Sequence, residues 1–179
     1  LEEGGDWLAL TQIQSTNDSR DARAIPRLCK QLLLDVGTLR PWYEANLGRV
    51  AVVGSDPFVS EGSDVTVLFE VKTPDTFQGH VNELLAGASK LTGQKVGQST
   101  YRNVVIRELT TPDRSIRMFT ADPRPGLHVR SNSRVALTRV LDTIKGNLPN
   151  LGDSDEFRYI RTLMPLGAPE EDGIVYLSD

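Results

Sequence analysis

From Asp64 to Lys72 the chain alternates strictly. Val65, Val67, Phe69 and Val71 fall on one side, and Thr66, Leu68, Glu70 and Lys72 on the other. A period of two over that length is a β-strand with one apolar face. Thr73-Pro74-Asp75 follows at once with residues that open a helix. Thr73 can cap, Pro74 suits the first helical position, and Asp75 favours the positive end of the helix dipole. The helix that follows carries an apolar stripe of Phe77, Val81, Leu84, Leu85 and Ala88, and Gly93 stops it. A strand with one face to bury, joined to a helix with one stripe to bury, commits this region to sheet–helix layers.

The rest of the chain extends that pattern. Trp7 to Ile13 reads as a strand. Ile25, Leu28, Cys29, Leu32 and Leu33 mark one face of a helix within Ala22 to Val36, with Gly37 as its stop. Leu39 to Leu47, with Trp42 and Tyr43, is a connector or short helix. Arg49 to Gly54 is a short apolar run that suits a strand buried on both faces. Asn103 to Leu109 and Ser115 to Thr120 read as two strands joined by Thr111-Pro112-Asp113-Arg114. Asp122-Pro123-Arg124-Pro125-Gly126 breaks the second, and Leu127 to Arg130 resumes extended structure. Ser131-Asn132-Ser133 caps a further helix with Leu137, Val140, Leu141 and Ile144. Asp153 opens a short one with Phe157, Ile160, Leu163 and Met164.

The fold class that follows is α+β. We expect a mainly antiparallel sheet with helices packed on one face, in a ferredoxin-like, split βαβ order from about residue 64, with extra N-terminal strands and a helix. No linker composition interrupts residues 1–179, which read as one domain. The expected core joins Val67, Phe69, Phe77, Leu84, Leu85, Val140, Leu141, Phe157 and Ile160. The chain starts at Leu1 rather than Met and ends just after the strand-like Ile174-Val175-Tyr176. It therefore reads as a piece of a longer chain, with that last strand paired into the sheet.

Charge and chemistry exclude more than they assign. The net charge is −4 and the pI about 5.3, which argues against a general nucleic-acid binder. No apolar run approaches a membrane span. Cys29 is the only cysteine and sits on the apolar side of its helix, as a buried inert thiol would. No phosphate loop, zinc-binding or nucleophile-elbow motif occurs. We therefore assign no catalytic, cofactor or metal residue. His80 reads as a solvated helix residue, and His128 lies on the strand face opposite Leu127 and Val129. Glu170-Glu171-Asp172 is a charged loop. Asn17-Asp18-Ser19 matches a glycosylation sequon.

Arginine is the anomaly. Residues 101–139 hold eight arginines and no lysine, for a local charge of +5 against −9 for the remainder. Such asymmetry can mark an anion-binding face. Closing the 111–114 loop by pairing Thr110 with Ser115 sets Glu108 opposite Arg117 and leaves Arg107 without an acidic partner. Arg107, with Arg130, is then the candidate anion site.

Three segments resemble a bacterial family catalogued only as a domain of unknown function, found in secreted or membrane-anchored envelope proteins. They are Leu39-Arg40-Pro41-Trp42 with Gly48 to Val53; Val65 to Lys72 followed by Thr73-Pro74-Asp75; and His128 to Ser133 with Ala136-Leu137, Val140-Leu141 and Leu151 to Phe157. The likeness covers residues 39–179. Asn150 stands where that family has Ser, and the N-terminal part here is longer. The resemblance implies the cell envelope or periplasm and brings no active site. The leading expectation is a non-enzymatic binding or structural domain of a larger envelope protein, partnered by an anionic envelope component or another protein. The alternatives are a hydrolase or lyase acting on an anionic substrate at the arginine-rich face, and a carrier of lipid or another hydrophobic ligand.

Overall fold

The computed structural model describes residues 24–34, 40–55, 63–165, 167 and 174–177; the strand read at Trp7 to Ile13 and the sequon at Asn17 lie outside them. The chain forms two compact units, Leu1–Thr138 and Arg139–Asp179. The first contains helices α1 (Ala24–Gln31) and α2 (Arg40–Asn46), strands β1 (Leu47–Gly54) and β2 (Val65–Val71), helix α3 (Pro74–Thr92), and strands β3 (Gly97–Tyr101), β4 (Val104–Thr110), β5 (Arg117–Arg124) and β6 (Leu127–Ser131). Helix α4 (Arg134–Ile144) begins in the first unit and runs into the second, which also holds a 3-10 turn (Leu151–Asp153) and helix α5 (Asp155–Leu163). Among the described residues no helix is long and apolar enough to cross a membrane.

The six strands make one antiparallel sheet in the order β1-β2-β6-β5-β4-β3. The fold is α+β with an antiparallel sheet, as the sequence implies. Every neighbouring pair is antiparallel, so β2 and β3 run parallel and α3 crosses over between them. Three strands fill that split βαβ gap, where a ferredoxin-like order has one. The strand that the sequence does not announce is β3, at the far border of that gap, whose polar Gly97-Gln98-Ser99-Thr100-Tyr101 gives no apolar alternation to read.

Register divides the sheet into two faces, because directly opposed residues share a side. One row runs Val52, Val67, Arg130, Thr120, Arg107, Gln98 from β1 to β3. Its neighbour, Ala51, Leu68, Val129, Ala121, Ile106, Ser99, faces the other way. Helix α3 covers the first face, where Val65, Val67, Phe69 and Val71 meet Phe77, Val81, Leu85 and Ala88 in the main core, with Leu32, Leu109 and Met118. Helices do not all take that face: at the start of α4, Arg134 bonds to Ser99 at 3.1 Å and approaches Glu108 at 3.6 Å on the opposite one. Both faces need cover, since Ile106, Ala121 and Val129 are as buried as the α3 side.

Local chemistry explains the helix ends. Gly93 ends α3 in the left-handed region, at φ 69°. Thr73 precedes the helix but does not cap it; its hydroxyl bonds to the Asn46 side chain and ties α3 to the end of α2. Ser154, one residue beyond the expected Asp153, caps α5 by accepting from the Phe157 N–H. Helix α1 stops at Gln31, well before Gly37.

Four readings change. First, Arg49 to Gly54 is not a doubly buried strand. It is β1, the outer strand of the sheet among the described residues, exposed from Gly48 onward; an apolar run alone does not distinguish a central strand from an edge. Second, the β4–β5 pairing is shifted by two residues, with Thr110 opposite Arg117 and Leu109 opposite Met118. The loop spans residues 111–116 because the Thr111 N–H donates to the Ile116 carbonyl and the Thr111 hydroxyl accepts from the Ile116 N–H. The shift sets two fully buried apolar side chains opposite each other. It also keeps every residue on its face. Third, Ile174 to Tyr176 carries no strand pairing, and Val175 and Leu177 are largely exposed. Fourth, the expected core divides. Val67, Phe69, Phe77 and Leu85 are buried and Leu84 half-buried in the first unit, whereas Leu141 is buried and Val140, Phe157 and Ile160 are half-buried in the second, where Phe157 packs edge-on against Tyr176.

Candidate functional site

The row that carries Arg107, Thr120 and Arg130 lies under α3, and it is the most polar part of the interior. Between Ala121 and Arg124 the β5–β6 ladder is irregular. Pro123 has no N–H to give it. There the Asp122 carboxylate accepts from His128 Nδ1 at 2.7 Å through Oδ1, and from Arg107 Nη2 at 3.2 Å through Oδ2. Arg107 Nη1 also donates to Asn82 Oδ1 on α3 at 2.6 Å. Because a carboxylate only accepts, the neighbouring Gln78 amide is oriented to donate to Asp122 (2.9 Å), and its oxygen then accepts from Arg107. The cluster thus fastens the middle of α3 to β4, β5 and β6.

On the other side of the His128 ring, Nε2 lies 2.9 Å from the Thr120 hydroxyl and 3.5 Å from Arg130 Nη2. Thr120 Oγ1 is also 3.1 Å from the Val129 carbonyl, so its single proton has two acceptors to choose from. Arg130 reaches out of the sheet to the end of α1, where Nη1 donates to the Leu32 and Leu33 carbonyls, both at 3.1 Å. Those are carbonyls that a helix end leaves without intrahelical partners. Leu33 adopts φ 52°, and the turn it makes closes the helix there. The guanidinium also sits over the Phe69 ring at 5.8 Å, and its Nε has no partner.

Burial decides the protonation states. It pushes the His128 pKa down to about 4; the Asp122 hydrogen bond opposes this and the Arg130 charge adds to it. The His128–Asp122 contact at neutral pH is therefore a hydrogen bond from a neutral ring, with the proton on Nδ1. For Asp122, burial works to raise the pKa, but the His128 hydrogen bond and the His128, Arg107 and Arg130 charges outweigh it and hold the carboxyl below its ordinary value. Burial also lowers the Arg130 pKa, to about 10, which leaves it charged. Its countercharge is the negative end of the α1 dipole together with Asp122.

Asp122, His128 and Thr120 stand in the order of an acid–base–hydroxyl relay. The Thr120 and His128 side chains are closed off from solvent, however, each with an exposure of 0%. The arrangement holds elements together and presents neither the hydroxyl nor the imidazole to solvent, while the Asp122 side chain is 40% exposed. Arg107 and Arg130, the pair read as an anion site, do share one face and one row. Arg107 is only 14% exposed and already paired with Asp122, and Arg130 is sealed inside. The acidic partner of Arg107 comes from the irregularity at Asp122, which reads in the sequence only as a break. Glu108 pairs with Arg134 rather than Arg117. His80 is half-buried rather than fully solvated: its ring packs on Trp42 at 4.3 Å, its Nε2 is buried without a partner, and burial, then the Arg130 charge, lowers its pKa. Cys29 is half-buried, and burial raises its pKa away from the thiolate. In the second unit a concavity of about 340 Å³ is lined by Glu156, Tyr159, Ile160, Tyr176 and Leu177.

No family model, curated protein or solved structure matches the chain.

His128 makes stability depend on pH in a defined window. An unfolded histidine titrates near 6.5, and this one near 4. Between those values the unfolded chain binds a proton that the folded chain refuses. The contribution is complete above pH 6.5 and is lost as pH falls towards 4, by on the order of 3 kcal/mol. Urea melts across that range are expected to show the slope in the wild type, and a much flatter profile for His128→Gln. Equal slopes would place the titrating group elsewhere.

Proposed function

We propose that the chain is a non-enzymatic binding or structural domain of a larger bacterial envelope protein. One observation carries the non-enzymatic part: the acid–base–hydroxyl order of Asp122, His128 and Thr120 is closed off at its hydroxyl and ring. A general base and nucleophile act only within hydrogen-bond reach of a substrate. The envelope assignment rests on the resemblance of residues 39–179. An anionic envelope component is the favoured partner. Arg102 and Arg124, in or beside the β3–β4 and β5–β6 turns, are exposed at the same end of the sheet, and arginine suits phosphate and carboxylate groups.

Two assays on the intact chain test this. A panel of phosphate and carboxylate esters is expected to show no turnover. Turnover that disappears in a folded Thr120→Val variant would replace this reading with the hydrolase. Retention on heparin at low salt is expected, with loss in the Arg102→Glu/Arg124→Glu double variant. Absence of retention would move the partner to another protein. Recovery of the natural protein in the cytosolic fraction of its host would remove the envelope assignment.

A further inference from the structure

Strand β1 pairs only with β2, and its other side is the outer edge of the sheet among the described residues. Sheet edges are ordinarily guarded by charge, proline, a bulge or short length, because a bare edge recruits another strand. From Val50 to Gly54 this edge has none of those. It carries no charge and no proline, and its one irregularity lies earlier, between Leu47 and Val50. Val50, Val52 and Val53 are 45%, 62% and 48% exposed. Val50 and Val52 lie on the α3 face opposite Phe69 and Val67, and Val53 lies on the other face opposite Thr66. Both sides of the edge are therefore apolar and open. The opposite outer strand, β3, is shorter and polar.

We propose that β1 is a self-pairing edge, at which two copies of the chain join by antiparallel β1–β1 contact and merge their six-stranded sheets into one. Self-complementarity is what selects a second copy over an unrelated extended peptide. Gly48-Arg49-Val50-Ala51-Val52-Val53-Gly54 reads almost the same in both directions. Pairing about Ala51 sets Val50 of each copy against Val52 of the other as the regular centre of the contact, flanked by Gly48 and Arg49 in the irregular start of β1 and by Val53 and Gly54. A two-fold axis normal to the sheet keeps faces matched, so valine meets valine on the α3 side. No like charges meet: Arg49, the only charge in the segment, falls opposite Val53 and is held at 2.8 Å by Glu70 of its own chain. Such a contact is isologous and closes at two copies. A few valines make a small interface, so the dimer is concentration-dependent.

Sedimentation of the full chain from low micromolar to millimolar concentration tests this. The wild type is expected to pass from monomer to dimer, and β1 amide exchange to slow as it does. Val52→Lys alters an exposed position and is expected to keep the monomer fold while weakening dimerisation by roughly tenfold or more. A wild type that stays monomeric at millimolar concentration overturns the proposal, whether or not its β1 amides are protected. So does a dimer that Val52→Lys leaves intact. Exchange measured on the wild type alone still decides if the variant fails to fold.

Discussion

Arg130→Met is expected to destabilise the first unit by about 3 kcal/mol. Methionine fills most of the same volume, so the loss reports the polar contacts rather than a cavity. Two carbonyls at the end of α1, Leu32 and Leu33, lose their donor, and each buried group left unsatisfied costs about 1–3 kcal/mol. Part of that is offset, because the variant no longer holds a cation in the interior. The Asp122–Arg107–His128 cluster remains in place, so the variant isolates the tether to α1. Arg130→Lys is expected to rescue little, since an ammonium does not reproduce a fork that spans two carbonyls. Urea melts measure the loss, and hydrogen exchange locates it: α1 amides should lose protection ahead of those of β5 and β6. A loss below about 1 kcal/mol would mean that the carbonyls find other donors and that Arg130 is tolerated rather than required.

The same arginine shows where sequence reading reaches its limit. Val65 to Lys72 and the stripe from Phe77 to Ala88 announce their faces, because apolar periodicity is a local signal and the structure uses it directly. His128 and Arg130 also alternate with Val129, and alternation correctly assigns them to the opposite side of β6. It does not tell that this side is covered. The α3 layer buries them, and only the completed sheet brings Asp122, Thr120 and Arg107 alongside. The β4–β5 register was not legible for a related reason: the Thr111 side chain lengthens the loop by bonding to backbone, and turn residues alone suggested four residues where six occur. β1 fails in the opposite sense. Its valines are as apolar as those of a central strand, and nothing in the run marks it as an outer one. For the candidate site, the arginine excess leads to Arg107 and Arg130, which do share a face, but one is paired with Asp122 and the other is sealed inside. Charge counting gives their number and not their exposure.

Phe69→Ala is expected to cost about 3–5 kcal/mol, the usual range for truncating a buried phenylalanine. Phe69 is buried on β2, with its ring 6.1 Å from that of Phe77 and 5.8 Å from that of His128, and under the Arg130 guanidinium. It thus forms the apolar wall between the α3 core and the polar row. Removing it takes away packing on one side and the barrier to water on the other. The second effect has its own readout. His128 titrates near 4 chiefly because it is buried, so hydration through the vacated space should raise its pKa towards the ordinary value near 6.5. Ring-proton chemical shifts followed against pH would report this directly. A variant that loses stability but leaves His128 near 4 would mean that the cavity collapses dry, with the neighbouring Phe77 ring, 4.9 Å from the imidazole, closing over it. A variant that keeps its stability would show that Phe69 does not face the core at all. The expected pairing of a large loss with a raised pKa is the result that ties the strand alternation read from Val65 to Val71 to the buried chemistry behind it.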